Sequence, residues 1–259
     1  MSSHEYVRTD LDGAVLTVTL TRSEARNAQT PSLWKALADI GRTLAPDVRA
    51  VVLRGEGPTF SAGLDRRMFT PEGIAGETSL MSLIQGSDDQ VLTTIAQYQE
   101  AFIWWRACDA ITVAAVQGHA VGAGFQLALA CDLIVADSSA RFCMKEATWG
   151  LVPDLAGTAP LVEAVGYSRA LEICTSAREV SAEEALRIGL VVAVSDDLDA
   201  TVAQILEPIL ANPAGAVTAT KHLLRGAQHR HPVEQRQHER EIQLARLREL
   251  SRALGAQGA

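Results

Sequence analysis

The sequence predicts an α/β fold with a helical C-terminal region. Two observations carry this. Short apolar runs of strand length recur along the first part of the chain with helical patterns between them, and beyond residue 198 only helical patterns remain. Residues 1–200 are therefore expected to form the core and residues 201–259 a helical appendage.

The elements follow in order. In residues 14–20, Leu16, Val18 and Leu20 alternate with Thr17 and Thr19, the period-two pattern of a strand. Thr30-Pro31 reads as an N-cap followed by proline at the first helical position, and Leu33, Leu37, Ile40 and Leu44 continue one helical face. Residues 50–54 form a short apolar strand that enters a turn-rich stretch at 55–63. Residues 71–90 hold four acids together with Gly76 and Gly86 and show no clear period. They predict a surface loop with room for a short helix, and a loop this long is usually functional or mobile. A helix at 91–106 carries Trp104 and Trp105 near its end, where core or subunit packing explains them. A buried strand at 112–116 leads through Gln117-Gly118-His119 into Gly122-Ala123-Gly124 and an apolar helix at 125–130. Residues 133–136 and 190–194 have strand character, and 159–165, 169–175 and 182–188 are helical. Pro213 and Pro232 mark later helix starts. The last helix, 233–254, is heavily charged apart from Ile242, Leu244, Leu247 and Leu250. Such a stripe covers either its own domain or a neighbouring subunit.

Composition removes several classes of function. Apolar residues make up 47% of the 259, enough for a folded core. A formal net charge of -8 and a pI near 5.3 argue against a broad nucleic-acid surface, while leaving room for a local anion site. The start of the chain lacks the apolar stretch of a secretory signal, and no apolar run approaches the roughly 20 residues of a membrane span. Cys108, Cys131, Cys143 and Cys174 form no CxxC and no paired His/Cys pattern. Reduced cysteines in a cytoplasmic protein without a metal site are expected.

Two segments carry chemistry. In Phe60-Ser61-Ala62-Gly63-Leu64-Asp65 a strand has ended and the backbone turns among small side chains that leave peptide N–H groups uncovered. In Gly118-His119-Ala120-Val121-Gly122-Ala123-Gly124 a strand runs into a glycine-flanked helix start, where the first N–H groups have no internal partner. Two such groups aimed at one point make an oxyanion hole, worth roughly 3–4 kcal/mol per donor to a developing negative charge. These segments, in this order, resemble the enoyl-CoA hydratase/isomerase (crotonase) family. Residues 22–28 resemble its N-terminal loop, and 182–190 resemble its helix ending in Gly-Leu-Val, so the likeness spans nearly the whole chain. It implies a crotonase-like spiral core, an acyl-CoA thioester substrate, a homotrimer or a hexamer made as a dimer of trimers, and no metal or redox cofactor.

Residue by residue, the family's two oxyanion donors match Ala62 and Ala123, the second of which is usually glycine. Its two hydratase glutamates match Gln126 and Glu146, so one carboxylate is missing. A glutamine cannot exchange protons at neutral pH, though it can hold a water. A second acid stands at Asp154. The pair Glu146 and Asp154 resembles the dienoyl-CoA isomerase pattern, although those isomerases carry a further aspartate where Gln126 stands. The related chlorobenzoyl-CoA dehalogenases have their aspartate nucleophile at the position of Asp154 but lack a glutamate at Glu146. Moving a double bond needs one group to take a proton and one to deliver it, and close carboxylates push one pKa upward. The resemblance thus favours an enoyl- or dienoyl-CoA isomerase using Glu146 and Asp154. Hydration by Glu146 with a water on Gln126 stands as the alternative, and a non-catalytic acyl-CoA-binding protein as the reading from another class. Arg22, Arg26, Arg66, Arg67 and Lys221 are candidate cations for coenzyme A. Leu64, Asp65, Gly122 and Trp149 are expected beside the substrate, Trp149 as a wall of the acyl pocket and His119 in a structural role.

Overall fold

The computed structural model describes residues 5–257. Its strands, in chain order, are β1 (Val7–Asp12), β2 (Val15–Leu20), β3 (Ala50–Gly55), β4 (Ile111–Val116), β5 (His119–Val121), β6 (Leu133–Ala136), β7 (Arg141–Cys143), β8 (Glu179–Ser181) and β9 (Ala193–Val194). The helices are α1 (Pro31–Arg42), α2 (Leu80–Leu83), α3 (Asp88–Ala107), α4 (Ala123–Leu129), α5 (Thr158–Val165), α6 (Tyr167–Ser176), α7 (Ala182–Arg187), α8 (Leu198–Ala211), α9 (Ala214–Ala227) and α10 (Pro232–Gln257). A six-stranded sheet has the order β1-β2-β3-β4-β6-β9, with β1 antiparallel to β2 and every other pair parallel. A small sheet, β5-β7-β8, stands beside it.

The apolar strands sit where their sequences demand. In β3, Ala50, Val51, Val52 and Leu53 are all buried, as a parallel strand covered on both faces requires. One face of the sheet packs against α1, α3 and α4. The other is covered by α8, whose Val202 and Leu206 meet Ala50, Val52, Val113 and Val135. α1 is capped by Thr30, whose hydroxyl accepts from Leu33 N–H at 3.3 Å. It buries Trp34 together with Leu33, Leu37 and Ile40, and each of these three aliphatic side chains stabilises the fold by about 1.5–3 kcal/mol. α8 begins before residue 200 and covers the sheet beyond it, so the division expected at 200 falls within an integral core helix.

Three features depart from the expectations. β1, β5, β7 and β8 are additional strands; β1 fully buries only Val7, and the others have three residues each, too few to show a period. α3 starts at Asp88 because Ser87 and Gln90 form a reciprocal capping box. The late strand contracts to Ala193–Val194. α10 packs on α9, with Ile242 half-buried, yet Leu244, Leu247 and Leu250 stay about half exposed in the single chain. The four cysteines are unpaired. No helix among the described residues is long and apolar enough to cross a membrane.

Candidate active site

The two turns singled out by sequence meet. Phe60 N–H donates to Gln117 O (2.8 Å), Ser61 N–H to His119 O (2.9 Å) and Val121 N–H to Ser61 O (3.0 Å), which locks 60–61 alongside 117–121. At Gly63 φ is +84°, and a Cβ there would lie 2.3 Å from Val121 O and 3.4 Å from Ala123 N. Only glycine lets the two turns approach this closely.

This packing corrects one assignment. Ala62 N–H does not face the site, because it donates to Arg26 O at 2.9 Å. The next donors follow from backbone alternation. Gln29 N–H donates to Gly63 O (2.7 Å) and Asp65 N–H to Gln29 O (2.9 Å), so Leu64 N–H between them points the opposite way. It has no acceptor among the described residues. Ala123 N–H, first of α4, likewise has none. Leu64 and Ala123 are the pair of uncommitted donors at the meeting of the two turns, and both line one cavity of about 380 Å³.

Glu146 and Asp154 line the same cavity. Glu146 follows β7, and its carboxylate lies over Gly122: a Cβ there would be 3.4 Å from Oε1 and 3.9 Å from Oε2. Oε1 accepts from Gln126 Nε2 at 2.7 Å, while Oε2 is buried without a hydrogen-bond partner. Loss of hydration raises the Glu146 pKa and the charge of Asp154 raises it further, while the nearby backbone N–H groups of Glu146 and Lys145 and the Gln126 hydrogen bond oppose both. Asp154, at the cavity rim, is also raised by lost hydration.

The remaining wall is apolar. Trp149 stacks on Phe69 with ring centroids 4.9 Å apart. Trp34 and Tyr98 pair at 4.9 Å, and α2 and α3 add Leu80, Leu83, Val91 and Ile95. The capping segment 70–87 is tied to α1 through Glu77, which accepts from Ser32 N–H at 3.0 Å and from the Ser32 hydroxyl. These α2 and α3 residues were not anticipated, since their apolar face points into a cavity rather than into the core. Lys145, also in the wall, was visible only as the neighbour of Glu146.

Several expected cofactor-handle cations are engaged elsewhere. Arg22 is buried, bonds Asp65 at 2.8 Å and lies over the Tyr6 ring. Arg67 bonds the same Asp65 oxygen at 2.9 Å. Hydrogen bonding from Arg67 first, with Arg22 adding to it, lowers the Asp65 pKa to about 2. Asp65, Arg22 and Arg67 therefore form a structural ion cluster rather than a substrate contact. Its stabilisation is complete above the unfolded value of 3.8 and disappears as pH falls through about 2. Arg26 is exposed and outside the cavity, whereas Arg66 lines it. His119 is exposed and serves through its carbonyl.

Lys221 is the clearest correction among the cations. It is buried, with its ammonium on Asp132 Oδ2 (2.7 Å), Ala110 O (2.6 Å) and Trp105 O (3.3 Å). Asp132 in turn accepts from Thr112 N–H and hydroxyl, so Lys221 ties α9 to β4. Lys221→Ala removes the countercharge of Asp132 and a charged donor to two carbonyls. It is expected to cost about 3–5 kcal/mol in denaturant unfolding with KM for acyl-CoA unchanged. A raised KM at unchanged stability would restore Lys221 as a coenzyme A contact.

A mainly parallel sheet with these two apposed turns defines the crotonase class of fold. The chain is similar to a Thermobifida fusca YX protein solved in complex with acetoacetyl-CoA, with a TM-score of 0.90 and 47% identity over 94% of this chain and 95% of that one. The enoyl-CoA hydratase/isomerase family model matches residues 10–258, and the chain belongs to that family. Curated relatives fall on both sides of its chemistry. A short-chain-enoyl-CoA hydratase of Clostridium acetobutylicum is 32% identical over 223 residues, covering 84% of this chain and 80% of the relative. The peroxisomal Delta(3,5)-Delta(2,4)-dienoyl-CoA isomerase of Arabidopsis thaliana is 31% identical over 227 residues, covering 85% and 80%. The chain is an enzyme of this hydratase or isomerase type.

Proposed function

We propose that the enzyme moves a double bond along the acyl chain of an enoyl- or dienoyl-CoA thioester. The observation that carries the reading is the placement of Glu146 and Asp154 on one cavity, both with raised pKa and with Glu146 Oε2 unpartnered. Glu146 takes the proton from the carbon next to the thioester. The electron pair shifts onto the thioester oxygen, which Leu64 and Ala123 N–H stabilise. In the form of the enzyme with Glu146 ionised and Asp154 protonated, Asp154 then gives its proton to the far carbon of the delocalised system, and the proton gained by Glu146 passes back to Asp154 through solvent, so one C–H bond breaks, one forms and both acids are restored. The chemistry requires neither metal nor redox cofactor. Arg26, Arg66 and Lys145 are the cations left for the coenzyme A phosphates, and the apolar wall suits an uncharged acyl group. A homotrimer or a dimer-of-trimers hexamer completes the proposal on the strength of the family resemblance, with a cytoplasmic location on the strength of the unpaired cysteines.

Hydration of a 2-enoyl-CoA by Glu146 is the second reading, favoured by the kinship to the Clostridium hydratase. It is weakened at Gln126, which is 1% exposed and is not among the residues that line the cavity where a substrate water would sit. A non-catalytic acyl-CoA-binding role leaves the buried, unpartnered carboxylate oxygen unexplained. Thioester absorbance with crotonyl-CoA, a 3-enoyl-CoA and a 3,5-dienoyl-CoA decides the matter. Isomerisation without hydration supports the proposal, and turnover of crotonyl-CoA alone overturns it.

A further inference from the structure

We infer that Gln126 is a positioning residue: it assigns the proton-accepting role to one oxygen of Glu146 and holds the peptide that carries Asp154. This rests on the proposal that both acids take part in the reaction.

Gln126 is 1% exposed, in the first turns of α4. Its Oε1 accepts from Leu155 N–H (2.9 Å) and Gly157 N–H (3.4 Å). With two donors on that side, an oxygen must face them, so the NH₂ group must face Glu146. Glu146 Oε1 is consequently always the acceptor, and any proton on this carboxyl resides on Oε2. Oε2 is the oxygen left without a partner, on a side chain that lines the cavity. The amide thus leaves Oε2 as the one oxygen free to take a proton.

The same side chain reaches the second acid. Asp154 C=O and Leu155 N–H belong to one peptide unit. Gln99 Nε2 donates to the carbonyl at 2.6 Å, and Gln126 Oε1 takes the N–H. Two glutamines therefore clamp this peptide from opposite ends and fix where the Asp154 side chain starts. The residue after Leu155, Ala156, has φ of +61°, a conformation that such clamping sustains. A carboxylate at position 126 would keep the bonds to Leu155 and Gly157 but set its second oxygen against Glu146 Oε1. The two would then share a proton.

The test is a ¹³C NMR titration of the Glu146 carboxyl carbon in glutamate-labelled protein, assigned by its loss in Glu146→Gln. The other titratable groups around it are Asp154 across the cavity, Lys145 beside it in the chain and the thiols of Cys143 and Cys174. Gln126→Glu is expected to raise the Glu146 midpoint by at least about one pH unit. Gln126→Met, which removes the donor, should raise it less and lower isomerisation kcat by about ten-fold or more at little-changed KM. Midpoints equal to wild type in both variants would overturn the inference. Should Gln126→Met fail to fold, Gln126→Glu carries the test, since it preserves the acceptor for the two backbone donors. The titration uses no substrate, so its outcome is separate from failure of the isomerase reading, which would show as absent turnover of 3-enoyl- and 3,5-dienoyl-CoA.

Discussion

Glu146→Gln is expected to lower kcat by at least about 100-fold, toward the 10⁴-fold upper range for losing a positioned acid or base. The substitution preserves size and the acceptor for Gln126 Nε2, so acyl-CoA affinity should hold. Stability should move the other way. The Glu146 pKa is raised above its ordinary value of 4.5 by burial, so the folded protein binds this proton more tightly than the unfolded chain does. Folding therefore loses stability from this group as pH rises from that value through the folded pKa. Glutamine has no such ionisation. Its thermal midpoint at pH 7 should match or exceed that of wild type, with the gain vanishing as pH falls below about 4. A dead enzyme that is more stable marks a group retained for chemistry. Near-wild-type turnover of a confirmed substrate would remove Glu146 from the mechanism.

The sequence and the structure agree where local pattern decides the outcome. Leu33, Leu37 and Ile40 form a buried helical face because their spacing admits no other, and the runs in β3 and β4 are too apolar to lie anywhere but mid-sheet. The first of the two apposed turns was legible in position but not in register. Small side chains at 61–63 signal exposed N–H groups, yet which one is free depends on Arg26 O, far away in the chain, having taken that of Ala62. The cations show the same limit. Nothing local distinguishes Arg66, which lines the cavity, from Arg67, held by Asp65, or from Lys221, held by Asp132. The partner of a long charged side chain is a tertiary property. The apolar wall from α2 and α3 was hidden for another reason. A helix face that points into a substrate cavity has the same composition as one that points into a core, and Leu92 on the outer surface blurs the period further.

Asp154 separates isomerisation from hydration. In the isomerase reading it delivers the second proton, so Asp154→Asn should lower net double-bond migration by about 100-fold or more. The first step should survive. Glu146 Oε2 and the donors of Leu64 and Ala123 are untouched, and Asp154 reaches Gln99 and Gln126 only through its backbone peptide, which asparagine retains. In heavy water the variant should therefore still exchange deuterium into the carbon next to the thioester, seen by mass spectrometry, while absorbance reports almost no isomerised product. Removing the Asp154 charge also removes one of the influences that raise the Glu146 pKa. The pH at which Glu146 becomes a competent base should accordingly fall, shifting the rising limb of the exchange rate to lower pH. In the hydratase reading Asp154 is a turn residue, and its replacement changes stability by about 1 kcal/mol at most. Unchanged turnover in Asp154→Asn would end the two-carboxylate mechanism and leave Glu146 acting with water. Loss of exchange together with isomerisation would instead show that Asp154 is needed before the enolate forms, reversing the roles assigned to the two acids.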